Sequence, residues 1–114
     1  MKDKTMNIKL SAPIADFFQA HNSGKTDNFQ DLFTADAVVS DEAHEYRGDA
    51  VKSWIEDAIS KYRPLHAEVT SLAPNGSQTV ATAQVSGTFP GSPVQLRYQF
   101  TIRDGKIAAL SIAA

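Results

Sequence analysis

Apolar positions along the chain change period once, near the middle. Ile14, Phe17, Phe18 and His21 fall at i, i+3, i+4 and i+7, a single helical face. Ser11 before them is a good N-cap, and Pro13 sits in the first turn, where a missing N–H costs nothing. Asn22-Ser23-Gly24 supplies the stop. A short second helix is predicted from about Asp27 to Phe33, with Phe29, Leu32 and Phe33 on its buried side. A third opens at Gly48-Asp49, with Asp49 as N-cap and Val51, Trp54, Ile55 and Ala58 as its apolar face; Pro64 lies past its end. Between these helices Ala37-Val38-Val39-Ser40-Asp41 reads as a short strand. Glu42 to Arg47 is polar and reads as a loop or a second short strand.

From Leu65 the period becomes 2. Four strands are predicted at about 65–73, 78–89, 94–103 and 106–113, separated by the turn signals Pro74-Asn75-Gly76, Pro90-Gly91-Ser92-Pro93 and Asp104-Gly105. In the third of these, Val94, Leu96, Tyr98, Phe100 and Ile102 alternate with Gln95, Arg97, Gln99, Thr101 and Arg103. Consecutive hairpins make an antiparallel meander. Helices first and strands afterwards indicate an α+β fold, three N-terminal helices packed on a strongly curved antiparallel sheet. Residues 1–10 read as a loose tail with Ile8 and Leu10 as anchors, and residues 11–114 as one domain.

Composition narrows the function classes. The chain has 114 residues, 42% of them hydrophobic, with six Phe, three Tyr and one Trp, so one modest core is available. A net charge of −2 with no basic stripe argues against a nucleic-acid partner. No apolar run reaches the length of a membrane span, and the first residues lack the apolar stretch of a signal peptide. Cysteine is absent, which removes disulfides and thiolate metal sites and fits a cytoplasmic protein. Three scattered His without paired spacing make a poor zinc site, so neither metal nor cofactor is expected. Phosphate loops, nucleophile elbows and dinucleotide fingerprints are missing as well.

Several segments together carry a family resemblance. Phe17-Phe18-Gln-Ala-His-Asn-Ser-Gly24, Leu32-Phe33-Thr-Ala-Asp-Ala-Val-Val-Ser-Asp41, Tyr46-Arg-Gly48, Trp54-Ile55 and the closing Arg103-Asp-Gly-Lys-Ile107 resemble the SnoaL-like, ketosteroid-isomerase-like branch of the nuclear transport factor 2-like superfamily. The resemblance spans about residues 12 to 113. It implies a cone-shaped, cystatin-like α+β barrel in which a bent sheet wraps the first helix and leaves a pocket open at one end. Family members include isomerases, polyketide cyclases, epoxide hydrolases, dehydratases and non-catalytic binding modules, and they commonly form homodimers through the sheet. The outward rows Val80, Thr82, Gln84, Ser86 and Gln95, Gln99, Thr101 suit such a flat, wet interface.

The resemblance places the general-base aspartate of the isomerases at Asp41, where a strand leaves the core. Burial against Phe17 and Trp54, expected opposite and expected not to solvate a carboxylate, would raise its pKa and let it carry a proton next to a carbonyl. The alternative is a turn cap or an ion pair with Arg47. The isomerase oxyanion tyrosine falls on Phe17, which has no hydroxyl, and the second acid falls near Tyr98, which could donate one hydrogen bond instead. His44 and Tyr46 follow Asp41 and could join it as an acid–base cluster; His44 as an exposed loop residue is the other reading. His21 reads as a packed residue, and the partners of His66 cannot be read. The expected pocket lining is Phe17, Trp54, Tyr98 and Phe100, with Tyr46 at the rim and Trp54 equally suited to the core. The small row Ala81, Ala83, Val85, Gly87 either leaves volume for a ligand or allows closer packing of helix on sheet. Three functions stay open: a lyase, isomerase or cyclase using Asp41 as proton carrier on a small hydrophobic molecule; a non-catalytic binding module; and a dimeric interaction domain.

Overall fold

The face predicted for the first helix is the face that is buried. In the structure, a computed structural model that describes residues 12–114, helix α1 (Ala12–Ser23) buries Ile14, Phe17, Phe18 and His21. It ends at Gly24, whose φ of +78° lets its N–H reach Ala20 O at 2.9 Å, an αL cap that a side chain would disfavour. Ser11 and the 1–10 tail lie outside the described residues. Helix α2 (Ala50–Lys61) buries Val51, Trp54 and Ile55 as its pattern requires. Asp49 precedes it but makes no side-chain cap hydrogen bond.

Two α-helices, not three, are present among the described residues. The segment predicted as the second helix is a single 3-10 turn, Phe29–Leu32. Phe33 is already extended, at φ −113° and ψ 151°, so four residues remain, too few to recover the cost of helix nucleation. Phe29 and Phe33 bury their rings without a helix, from the turn and from the following strand.

The strands are β1 (Phe33–Asp41), β2 (His44–Arg47), β3 (His66–Asn75), β4 (Gln78–Ser86), β5 (Val94–Arg103) and β6 (Lys106–Ala113). They form one curved, open sheet in the order β2-β1-β6-β5-β4-β3. The meander β3-β4-β5-β6 and the β1-β2 hairpin are antiparallel, but β1 and β6 run parallel, so the sheet is mixed. The chain travels from β1 to β6 through α2 and the other strands, the long crossover that a parallel neighbour needs. Register shifts at Val69/Ser71, Thr101/Ile102 and Phe33/Val38 interrupt the ladders. Such bulges bend a strand and deepen the local twist, which helps curl the sheet around α1.

Inside, Ala81, Ala83, Val85, Tyr98 and Phe100 face the helices, while Gln84, Gln95 and Gln99 face out. Phe17 is the hub of the core. Its ring lies 5.1–6.4 Å from those of Phe18, Phe29, Trp54, Tyr98 and Phe100. Mostly edge-on and tilted, these contacts suit the aromatic quadrupole. They close one end of the curved sheet and leave the other end free.

Candidate functional site

At that other end a cavity of about 590 Å³ opens between α2, the inner sheet face and the Phe89–Pro90 loop. Its volume is in the range of small-molecule sites. Ile55 and Ala58 of α2, Val85 of β4, Leu96 of β5 and Ile112 of β6 give it an apolar wall. Asp41, Tyr98, His21 and Trp54 also line it.

Asp41 is the last residue of β1 and pairs with His44 across the hairpin. The connecting residues Glu42 and Ala43 both take positive φ, 53° and 66°, the two-residue geometry that matches strand twist. This turn sets Asp41 at the cavity rim, half-buried. Trp54 Nε1–H donates to Asp41 Oδ2 at 3.0 Å. The indole therefore does solvate the carboxylate, contrary to the expectation from its ring alone. Desolvation nevertheless dominates and holds the Asp41 pKa above the ordinary aspartate value; the Trp54 hydrogen bond opposes it, with smaller effects from Glu42 upward and His44 downward. The ion pair with Arg47 does not form. Arg47 instead donates to Glu45 at 3.1 Å on the exposed side of β2.

Tyr98 is 2% exposed, with its ring against Phe17 and Phe18. Burial, and then the negative charge of Asp41, push its pKa above the usual phenol value, so it stays an O–H donor. Phe17 and Phe100 are fully buried beneath the cavity and do not reach its surface. Tyr46 lies behind Trp54, ring centroids 6.1 Å apart, and is not part of the lining. His44 is exposed on β2, outside the cavity. Asp41, Trp54 and Tyr98 are thus brought together; His44, Tyr46, Phe17 and Phe100 stand behind or beside them.

Ala81 and Ala83 are fully buried and away from the lining, so the small row serves close packing there, and only Val85 reaches the cavity. Sequence reasoning missed His21 as a lining residue. Its i+4 and i+3 spacing from Phe17 and Phe18 was the available signal, because it put the imidazole on the inward face. Among the described residues no group of three His, Asp or Glu could hold a metal, and no helix is long and apolar enough to cross a membrane.

The SnoaL-like domain profile matches residues 14–110. No curated protein matches the chain by sequence. Among solved structures, a proposed polyketide cyclase from Sinorhizobium meliloti is 36% identical, with a TM-score of 0.87 over 97% of this chain and 100% of its own. A protein from Catenulispora acidiphila with a ketosteroid isomerase-like fold, solved with trimethylamine, matches at TM-score 0.81 and 16% identity, over 93% of this chain and 87% of its own. A cystatin-fold protein from Novosphingobium aromaticivorans matches at TM-score 0.74 and 15% identity, over 90% and 95%. These last two likenesses concern the fold alone.

Proposed function

The chain belongs to the SnoaL-like family, and from that premise we propose that it is a pocket enzyme moving a proton on a small apolar carbonyl compound, with Asp41 as proton carrier. The observation that carries this reading is a half-buried carboxylate at an apolar cavity, tied at one oxygen by Trp54 and raised in pKa by desolvation. A base of that kind takes a proton at neutral pH more effectively than a fully solvated aspartate.

In this reading the bond from the α-carbon to hydrogen breaks and its proton passes to the Asp41 carboxylate. The electron pair it leaves forms an enolate, to whose oxygen the Tyr98 O–H donates. Return of the proton to another carbon completes an isomerisation; attack of the enolate carbon on a second carbonyl moves that carbonyl's π pair onto its oxygen, which takes the proton back from Asp41 and completes a cyclisation. The description of the 36% identical relative as a proposed polyketide cyclase supports the second outcome. Trp54 orients Asp41, and Tyr46 behind it holds the indole. Phe17 and Phe100 back the Tyr98 ring, and His44 stands opposite Asp41 across the hairpin.

A single oxyanion donor is a specific reason to keep a binding module as the second reading, since losing one donor costs about 3 kcal/mol of barrier. Exchange of the α-protons of 2-tetralone in deuterated water separates the two. The enzyme reading expects protein-accelerated exchange that Asp41→Asn abolishes. Binding of the ketone with no acceleration leaves the module. The polar outer rows of β4 and β5 are proposed as the contact of a homodimer, with Val38, Ser40 and Gln99 around a shallow depression on that face.

A further inference from the structure

The cavity has a second polar pole that the proton-transfer reading does not use. His21 is 4% exposed, and it lines the cavity from the last turn of α1. Its tautomer follows from its neighbour. Asn22 Nδ2 donates to Ala67 O at 2.8 Å, and Asn22 Oδ1 accepts from Ala67 N–H at 2.7 Å. Turning the amide over would set two donors, and two acceptors, against each other, so its orientation is fixed by the β3 backbone. His21 Nδ1 lies 3.0 Å from that same Asn22 Oδ1. An amide oxygen only accepts, so Nδ1 carries the hydrogen, and in the neutral ring Nε2 is left with a bare lone pair. Burial favours the neutral ring, lowering the His21 pKa.

Nε2 has no hydrogen-bond partner among the described residues. Among those same residues the one side-chain N or O atom both fully buried and unpartnered is Gln30 Oε1. Nε2 is not such an atom, and the residue that carries it lines the cavity. The other charged or titratable groups on the cavity lining are Asp41, Glu42, Tyr62 and Tyr98, from β1, the turn after it, the end of α2 and β5.

We propose that His21 Nε2 is a ligand-selecting acceptor, and that the cavity takes an apolar ligand bearing a hydroxyl or N–H group that donates to it. This rests on the cavity being a ligand site, and it adds that the ligand is read at two poles. A carbonyl end meets Asp41 and Tyr98, and a donor end meets His21. A purely hydrocarbon ligand leaves Nε2 dry and unpaired, and a desolvated polar atom without a partner discriminates against the ligand that strands it.

The test compares 2-naphthol with 2-methylnaphthalene, equal in shape and differing in the donor. Trp54, the one tryptophan of the chain, lines the cavity and reports binding by its fluorescence. The wild-type protein is expected to prefer 2-naphthol by roughly 3- to 10-fold, the worth of one net hydrogen bond. His21→Phe should remove the preference, and Asp41→Asn should keep it. Preference retained in His21→Phe and lost in Asp41→Asn overturns the proposal and leaves the ligand-site reading intact. Failure of both probes to bind the wild type overturns both. A second measurement needs no variant at position 21. In protein labelled with ¹⁵N-histidine, with the other two rings assigned through His44→Gln and His66→Gln, His21 should show the Nδ1–H tautomer, and Nε2 should shift with 2-naphthol but not with 2-methylnaphthalene. An Nε2–H tautomer refutes the assignment.

Discussion

Replacing Asp41 by asparagine separates the cost of its charge from the value of its hydrogen bond. The amide has the same shape, and its oxygen can still accept from Trp54 Nε1, which holds Asp41 Oδ2 at 3.0 Å. What disappears is titration. The folded-state pKa of Asp41 is raised, chiefly by desolvation, above the ordinary value of 3.8. The native state therefore holds the proton more tightly than the unfolded chain. Stability is greatest below the unfolded value and is lost as pH climbs through the raised folded value. An amide at this position has no such loss, so the Asp41→Asn variant should gain on the wild type across that window and keep the gain at neutral pH. A half-buried carboxylate retains much of its hydration, and screening limits the gain to about 0.5–1 kcal/mol. In a domain of this size that is about 2–4 °C in melting temperature. Other acids, including Asp36 with its pKa lowered by Thr34 and Arg103, titrate alike in both proteins and cancel in the difference. Thermal melts of both proteins from acid to neutral pH give the curve directly. A variant less stable than wild type at neutral pH, or a difference that does not change with pH, would refute the desolvated-base argument, whatever happened to turnover.

Three further outcomes follow from geometry. Glu42→Asn with Ala43→Gly puts residues suited to positive φ into the turn after β1, and should stabilise the fold by about 1 kcal/mol in denaturant titration while leaving the Trp54–Asp41 contact in place; a loss of stability would mean that the side chains of the turn matter more than its backbone. Gly87→Ala should cost about 1–3 kcal/mol, because its Cβ would sit 2.7 Å from Tyr62 O, a backbone atom already held by Thr88 N–H at 3.1 Å; an unchanged melting temperature would show that this crossing yields without strain. Light scattering at micromolar concentration should give a dimer mass, and a variant with arginine at both Thr82 and Gln84 should give a monomer; a monomeric wild type sinks the sheet-face interface.

Periodicity made most of the fold legible. The faces of α1 and α2 and the inward rows of β4 and β5 follow from spacing alone, because burial on one side forces period 3.6 or 2. The turn at Phe29–Leu32 did not, since two buried aromatics four apart fit a helix, a 3-10 turn or the start of a strand equally well. The parallel β1–β6 pair was hidden for a different reason. Pairing between distant strands depends on where the crossover deposits the chain, and no local pattern encodes that. In the site, Asp41 was legible because it ends an apolar run before a polar loop. The depth of each aromatic was not. Phe100 shares the inward row of Tyr98, and Phe17 faces inward from α1 as Trp54 does from α2, yet Phe17 and Phe100 close the core beneath the cavity, and that difference lies along the cone axis rather than across a face.

That axial ordering bears on the chemistry. Phe17 packs fully buried among five other aromatic rings. A tyrosine there would bury an O–H at a cost of about 1–3 kcal/mol unless it found an acceptor. Tyr98 stands one layer nearer the opening, on the sheet, close enough to Asp41 for that charge to raise its pKa. On the proposed reading, a donor so placed stays protonated over the range in which Asp41 would act as a base. The chain thus keeps its helix apolar for packing and carries its hydrogen-bonding groups at the edge of the core: Asp41 at a strand end, Trp54 on the second helix, Tyr98 on the sheet. On the proposed reading, the oxyanion donor has moved from helix to sheet, and the substrate must present its carbonyl oxygen towards β5 rather than towards α1.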